Sequence, residues 1–236
     1  MTTVLSTTRS RRKAGLREAL YKLLCNRLHC LLPNLLGSER GSVSVELVII
    51  VPLMMLLMVG FSEIYMYMRT VSAMEHTAFM LADSLGQTSQ LINTTATTDS
   101  NDLGSIWNAA TLLSAPNTLN QSGGVIITSV CEVTSSCPYP LNHSNTMAPG
   151  VPQILWQASA PWNGKGMTTG ETPGNLLPTT WPFRNGDSAI VVEVFYTFNP
   201  FALTTGLWPN APGTQTVYER IYVRPRSGQP LELVPG

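Results

Sequence analysis

A single carboxylate stands at the start of the most apolar stretch of this chain. Glu46 follows Gly41-Ser42-Val43-Ser44-Val45, and residues 47–62 contain no charged side chain. A charge in a membrane helix costs on the order of 3 kcal/mol at mid-bilayer and less near the interface, so Glu46 needs either headgroup contact or a partner. Cleavage after Gly41 would supply a partner, because the new ammonium of Ser42 would lie one helical turn from Glu46. Between bundled helices this pair would fix the register.

Two cysteine pairs are further candidates for chemistry. Cys131 and Cys137 are six residues apart, and in an oxidising compartment they could close a small disulfide-bonded loop. The chain-entropy contribution of so short a loop is about 2 kcal/mol. A metal site is the alternative, although only His143 accompanies the two cysteines. Cys25 and Cys30 lie in the basic N-terminal part and are expected to stay reduced.

Catalytic groups do not converge in this sequence. The three histidines, His29, His76 and His143, are widely separated and have no neighbour at metal-ligand spacing. The segment Gly164-Lys165-Gly166 lacks the Ser or Thr that follows the lysine of a phosphate loop, and we interpret it as a surface turn. No nucleophile elbow of the Gly-x-Ser-x-Gly type occurs. We therefore expect a protein that is not an enzyme, with no catalytic residue, metal or cofactor.

Hydropathy and charge predict how these residues are positioned. From Ser42, about 20 residues would form a helix of roughly 30 Å, which spans a hydrocarbon core. Residues 1–41 carry a net charge of +6 and residues 42–236 a net charge of −6. The positive-inside rule therefore predicts residues 1–41 in the cytoplasm and the C-terminal part across the membrane. The zero total charge gives no indication of a nucleic-acid partner.

Amphipathic helices are predicted on both sides of the transmembrane helix over residues 42–62. Leucines recur at helical spacing over residues 14–32, which is typical of a helix on an anionic membrane surface or on a partner protein. Residues 63–90 are predicted to continue the membrane helix, and Pro52 predicts a kink within it. The predicted core-facing stripe of this extension consists of Ile64, Met68, Val71, Met74, Ala78, Leu81 and Leu85.

The remainder, residues 91–236, is rich in Thr, Asn, Ser, Gly and Pro and is predicted to form a small domain with long loops. A short helix is expected over Leu103–Ser114, with Asp102 as its cap. The predicted strands are Val125–Val133, Gln153–Ser159, Ser188–Phe198 and Thr216–Val223. Together they favour one antiparallel sheet and an α+β fold. All five tryptophans lie in this part, where they could close a small core or bind sugars or another subunit.

Residues 38–75 resemble the TadE/TadG-type pseudopilins of the tight-adherence (Flp pilus) system. The resemblance consists of a basic leader, Gly41 with a small-residue start, Val45-Glu46, the early Pro52 and the exit Glu63-Ile64-Tyr65. Two C-terminal segments, Gly186–Pro200 and Val223–Arg226, are also similar to that family. The resemblance therefore rests on both ends of the chain.

This resemblance implies a type IV pilin-like minor pseudopilin of the bacterial inner membrane, with a periplasmic domain. Prepilin peptidase would cut between Gly41 and Ser42, and the product would assemble or initiate a thin adhesive pilus that serves biofilm formation. The implied partners are the peptidase, other pilins and pseudopilins, assembly-platform proteins and membrane lipids. The alternative is an uncleaved, permanently anchored periplasmic scaffold or ligand-binding protein of the same secretion machinery.

Overall fold

The computed structural model describes residues 39–132, 148–163, 166–206, 210 and 212–236. The predicted leader helix over residues 14–32 lies outside the described residues, as do Cys25, Cys30, Cys137, His143 and Trp208. Contacts divide the chain into two units, Met1–Gly60 and Phe61–Gly236.

Helix α1 runs from Glu39 to Gln87 and contains Pro52. In the first unit its apolar side chains from Val45 to Met58 are exposed. Among the described residues, α1 is the one helix that is long and apolar enough to cross a membrane, and almost none of its most apolar stretch is buried. A helix that packs in a soluble core would bury such side chains. The structure thus confirms the predicted long, apolar N-terminal helix.

The end of α1 at Gln87 precedes the predicted end at residue 90. The last carbonyl groups of a helix have no partner within it. Here Leu85 O accepts hydrogen bonds from the Thr88 backbone nitrogen at 3.2 Å and from Thr88 Oγ1 at 3.0 Å. Gly86 O accepts one from the backbone nitrogen of Arg226 at 2.7 Å. These bonds satisfy carbonyl groups of the last helical turn, and strand β1 follows at Gln90–Asn93.

Four strands form the main sheet: β2 (Gly123–Glu132), β3 (Pro152–Ser159), β4 (Ser188–Phe198) and β5 (Gln215–Val223). Their order is β3-β2-β4-β5, and all three pairings are antiparallel. All ten residues of β2 and nine of the eleven residues of β4 are buried, as expected for central strands. The predicted α+β fold with an antiparallel sheet is confirmed.

The two faces of this sheet pack against different parts of the second unit, because side chains alternate along each strand. One face forms the main hydrophobic core with α1 and with helix α2 (Leu103–Leu113). This core includes Met74, Ala78, Leu81, Leu85, Ile106, Trp107, Val125, Ile127, Ile190, Val192 and Val194. On the opposite face, Val130, Ala189 and Val191 pack against Leu176 of the β3–β4 connection.

The structure also contains a second, two-stranded sheet that no sequence pattern predicted. Strand β1 pairs in parallel with β6 (Glu232–Pro235). Leu231, just before β6, is fully buried in the main core. Its carbonyl oxygen accepts hydrogen bonds from Ser129 Oγ at 2.9 Å and from Trp156 Nε1 at 2.6 Å. The segment that contains Leu231 and β6 therefore closes the core.

Asp102 occupies the position before α2, as predicted, but its side chain does not cap the helix. Its Oδ2 instead accepts hydrogen bonds from the backbone nitrogens of Thr98 and Asp99 at 3.1 and 2.9 Å, and from Thr98 Oγ1 at 3.0 Å. The hydrogen bond from Asp99 is the main cause that lowers the pKa of Asp102. Gly104 allows this loop to lie close to α2, since a Cβ there would lie 2.1 Å from Ala96 O.

Candidate functional site

The residues predicted for cleavage and charge pairing all lie in α1. Gly41, Ser42 and Glu46 are helical, and Ser42 and Glu46 are separated by about 6 Å of axial rise. The side chain of Glu46 is exposed. The predicted disulfide stays a prediction, because Cys131 lies buried in β2 whereas Cys137 is outside the described residues.

The predicted core-facing stripe of α1 is wrong at its first two positions. Ile64 and Met68 are 47% and 64% exposed. The buried positions at this level are polar, namely Glu63 and Thr70. Thr70 is tolerated there because its Oγ1 donates a hydrogen bond to Met66 O at 2.9 Å. From Met74 to Leu85 the predicted stripe is buried, and the exposed residues before it leave an apolar surface on the helix.

Glu63 forms a clamp within the second unit. Its Oε1 accepts hydrogen bonds from the backbone nitrogens of Leu203 and Thr204 at 2.7 and 3.0 Å. Its Oε2 accepts one from Thr204 Oγ1 at 2.5 Å. The carboxylate is only 4% exposed, and these three donors replace the water that it loses. The clamp joins α1 to the turn that follows β4.

Aromatic rings extend this connection along α1. The rings of Tyr67 and Phe198 stack with their centroids 6.0 Å apart, and Phe198 also stacks on Tyr196 at 5.7 Å. We call Glu63, Tyr67, Phe198, Leu203 and Thr204 the exit clamp. The sequence indicated Glu63 only as part of the exit Glu63-Ile64-Tyr65 that follows the apolar run. Its donors lie 140 residues away or more along the chain, so sequence spacing could not identify them.

A second buried polar group lies on the sheet face opposite α1. Glu193 of β4 and Glu171 of the β3–β4 connection both have fully buried side chains, and Arg220 of β5 forms ion pairs with them at 3.4 and 3.0 Å. Tyr218 Oη and Thr169 Oγ1 donate to Glu193 at 2.6 and 2.5 Å. We call these five residues the carboxylate–arginine cluster. It attaches the β3–β4 connection to the sheet.

The charges in this cluster are not balanced, since two carboxylates share one guanidinium group. Glu171 Oε2 is buried and has no hydrogen-bond partner within the described residues. Burial raises the pKa of Glu171 to about 7, although Arg220 lowers it. Burial, together with the neighbouring Glu193, also raises the pKa of Tyr218. In the described part of the chain, no three or more His, Cys, Asp or Glu side chains are grouped so that they could hold a metal ion.

Comparison with known proteins concerns α1. The family model described as TadE-like protein matches residues 41–83, so the match begins at Gly41 and includes no residue of the main sheet. No curated protein and no solved structure matches the chain. The TadE-like family implies involvement in Tad pilus assembly, and the apolar helix is consistent with a membrane-anchored, single-pass protein. Residues 41–83 are therefore a TadE-like segment, which confirms the resemblance predicted for the N-terminal end of the chain. The match does not include Gly186–Pro200 or Val223–Arg226, so the resemblance of these two segments stays a prediction.

Proposed function

We propose that this protein is a membrane-anchored minor pseudopilin that takes part in assembling or initiating a thin adhesive Tad pilus. The observation that carries the proposal is the coincidence of the TadE-like match with one continuous helix, which begins beside Gly41 and continues past the apolar run. In this proposal residues 1–41 are a cytoplasmic leader, 42–62 cross the inner membrane, 63–87 extend the helix, and the rest of the chain to residue 236 completes a periplasmic domain.

Prepilin peptidase removes the leader between Gly41 and Ser42 in this proposal. The ammonium of Ser42 then pairs with Glu46, either within one helix or between neighbouring subunits. The pair is favourable in a dry helix bundle because each charge would otherwise be buried alone. The same cleavage leaves the positive charges of residues 1–41 behind, so the mature helix can leave the bilayer for a fibre at lower cost.

The partners of the helix are other pilins or pseudopilins, proteins of the assembly platform, and inner-membrane lipids. Support comes from the exposed apolar side chains of α1, from Val45 to Met58 in the first unit and again at Phe61, Tyr65 and Met68 in the second. Side chains of this kind need lipid or another helix as a neighbour. The exit clamp supports the proposal in a different way, because it fixes the sheet domain to the helix residues that follow the membrane.

N-terminal sequencing of the membrane-extracted protein tests the proposal directly. We expect the wild-type chain to begin at Ser42. The leader should remain after Gly41→Ala and in cells that lack prepilin peptidase, whereas Gly37→Ala, in the same leader, should be processed normally. A mature protein that always retains residues 1–41 would instead favour the uncleaved, anchored scaffold or ligand-binding protein.

A further inference from the structure

An open groove lies between α2 and the turn after β3, both in the second unit. Two adjoining cavities of about 240 and 320 Å³ form it, and Thr95, Trp107 and Pro161 line both of them. These volumes are at or just below the lower end of the range of about 300–1,000 Å³ that is usual for small-molecule sites. We call the two cavities together the α2 groove.

The polar side chains of the α2 groove are amides and hydroxyls. Its lining, which consists of described residues only, contains no charged side chain. Asn93, Asn108 and Asn120 are exposed, and their amides form no hydrogen bond within the described part of the chain. The groove thus offers both donors and acceptors without a net charge.

Two tryptophans give the groove its apolar surface. Trp107 is a member of the main core and is 6% exposed, whereas Trp162 is half-buried and packs against the same core. Core packing holds both rings in place, so a ligand would not bear the entropy cost of ordering them. Trp107 and Trp162 therefore serve the core, as one of the two sequence-based interpretations expected, and also line the groove.

Uncharged amide and hydroxyl groups beside a tryptophan surface favour one class of ligand. A phosphate or carboxylate group would need a cationic partner, and none lines the groove. A purely apolar ligand would remove water from the amides that it covers and offer them no hydrogen bond in return. A pyranose ring matches both features, since its C–H face can lie on the half-buried indole of Trp162 while its hydroxyl groups exchange hydrogen bonds with side-chain amides.

We infer that the α2 groove binds a short neutral saccharide. The inference goes beyond pilus assembly and does not depend on cleavage or on Glu46. A cell-wall glycan and a surface polysaccharide could both supply neutral pyranose rings. The two sources differ in their substituents, because cell-wall glycans carry N-acetyl groups.

Titration of the full chain with defined oligosaccharides tests the inference. The chain is purified in a detergent without a sugar headgroup, and binding is followed by tryptophan fluorescence and calorimetry. We expect chitotetraose or cellotetraose to bind and tetragalacturonate, which is anionic, to bind at least about tenfold more weakly, because no cation lines the groove. Preference for chitotetraose would indicate a cell-wall glycan, and preference for cellotetraose a surface polysaccharide.

Substitutions in the groove provide the matched controls. We expect Asn108→Ala and Asn120→Ala each to weaken binding about three- to tenfold, because each removes one hydrogen-bonding side chain. Asn175→Ala, at an exposed asparagine outside the groove, should bind like wild type. Trp162→Phe should retain most of the affinity and Trp162→Ala should lose about tenfold, with near-UV circular dichroism to verify that both variants are folded.

Three results would overturn the inference. The first is the absence of binding by either neutral tetrasaccharide at millimolar concentration. The second is that Asn108→Ala and Asn120→Ala bind the saccharide as strongly as the control variant Asn175→Ala. The third is saturable, groove-dependent binding of an uncharged peptide, such as tetraglycine with an acetylated N-terminus and an amidated C-terminus, in place of saccharide, which would make the groove a peptide site.

Discussion

Glu63 and Glu171 are both buried carboxylates, and their surroundings give them opposite properties. Glu63 accepts three hydrogen bonds, so its charge is compensated where it lies. Glu171 shares Arg220 with Glu193 and keeps one buried oxygen without a partner in the described residues. The first residue should therefore stabilise the fold as a charge, whereas the second should stabilise it more when it is protonated than when it is ionised.

We expect Glu63→Ala to lower the free energy of unfolding by about 1–3 kcal/mol, because it leaves buried donors without an acceptor. Glu63→Gln should cost less, since its amide oxygen still accepts. Thermal unfolding of the full chain in detergent, followed by near-UV circular dichroism, measures both effects. Glu75→Ala is the matched control, because Glu75 is an exposed acid on the same helix. Equal melting temperatures for Glu63→Ala and Glu75→Ala would refute the clamp.

We expect Glu171 to make the free energy of unfolding fall as the pH rises. Burial raises its pKa from 4.5 to about 7, so the folded state holds this proton more tightly than the unfolded state. The stabilising contribution is complete below pH 4.5 and is lost as the pH rises through 7, with an upper bound on the order of 3 kcal/mol. Denaturant unfolding between pH 4.5 and 7.5 measures this slope. Glu171→Gln should flatten the slope, and an unchanged slope in that variant would contradict the assignment.

The elements of the second unit were predictable where their patterns were local. Alternating β-branched residues identified Ser188–Phe198 with its observed bounds, and the other three strands of the main sheet within two residues. Strands β1 and β6 have four residues each, and they come from opposite ends of the sequence of the sheet domain. No local pattern therefore indicates that they pair. The helical stripe failed at Ile64 and Met68 because apolar periodicity cannot foresee that a glutamate and a threonine occupy the buried face.

The segment around β6 should be as important for stability as a central strand. Leu231 is fully buried in the main core, so we expect Leu231→Ala to cost about 2–5 kcal/mol through the cavity that it leaves. Leu112→Ala is the matched control, because Leu112 of α2 is 68% exposed. Chemical denaturation of the full chain compares the two variants. Similar unfolding midpoints would show that the segment does not complete the core.

At the scale of the whole molecule, the sequence indicated the long apolar helix, the TadE-like segment and the sheet, but neither the exit clamp nor the carboxylate–arginine cluster. The reason is physical. Apolar runs and strand alternation are properties of neighbouring residues, whereas Glu63 and Glu171 acquire their roles from residues far away in the chain. The α2 groove has the same origin, since Asn93, Asn120 and Trp162 come from three separate segments.

The charge near the start of α1 leads to a prediction that rests on the proposed function. Under the proposed cleavage, we expect Glu46→Ala to be processed at Gly41 like wild type and yet to produce few pili, because the new ammonium of Ser42 then has no carboxylate partner. Glu46→Asp, which keeps the charge, should retain part of the assembly. N-terminal sequencing and counts of pili per cell by electron microscopy give the two readouts. Wild-type pilus numbers in Glu46→Ala would exclude the pairing role.

The position of Leu231 in the core also has a consequence for synthesis of the protein. Met74, Leu81 and Leu85 of α1 emerge from the ribosome long before residues 217–231, which help to cover them. Contacts between such distant residues form slowly, and apolar surface that waits for its cover tends to aggregate. We therefore expect the newly made domain to pass through an interval in which a chaperone that covers this apolar surface would protect it.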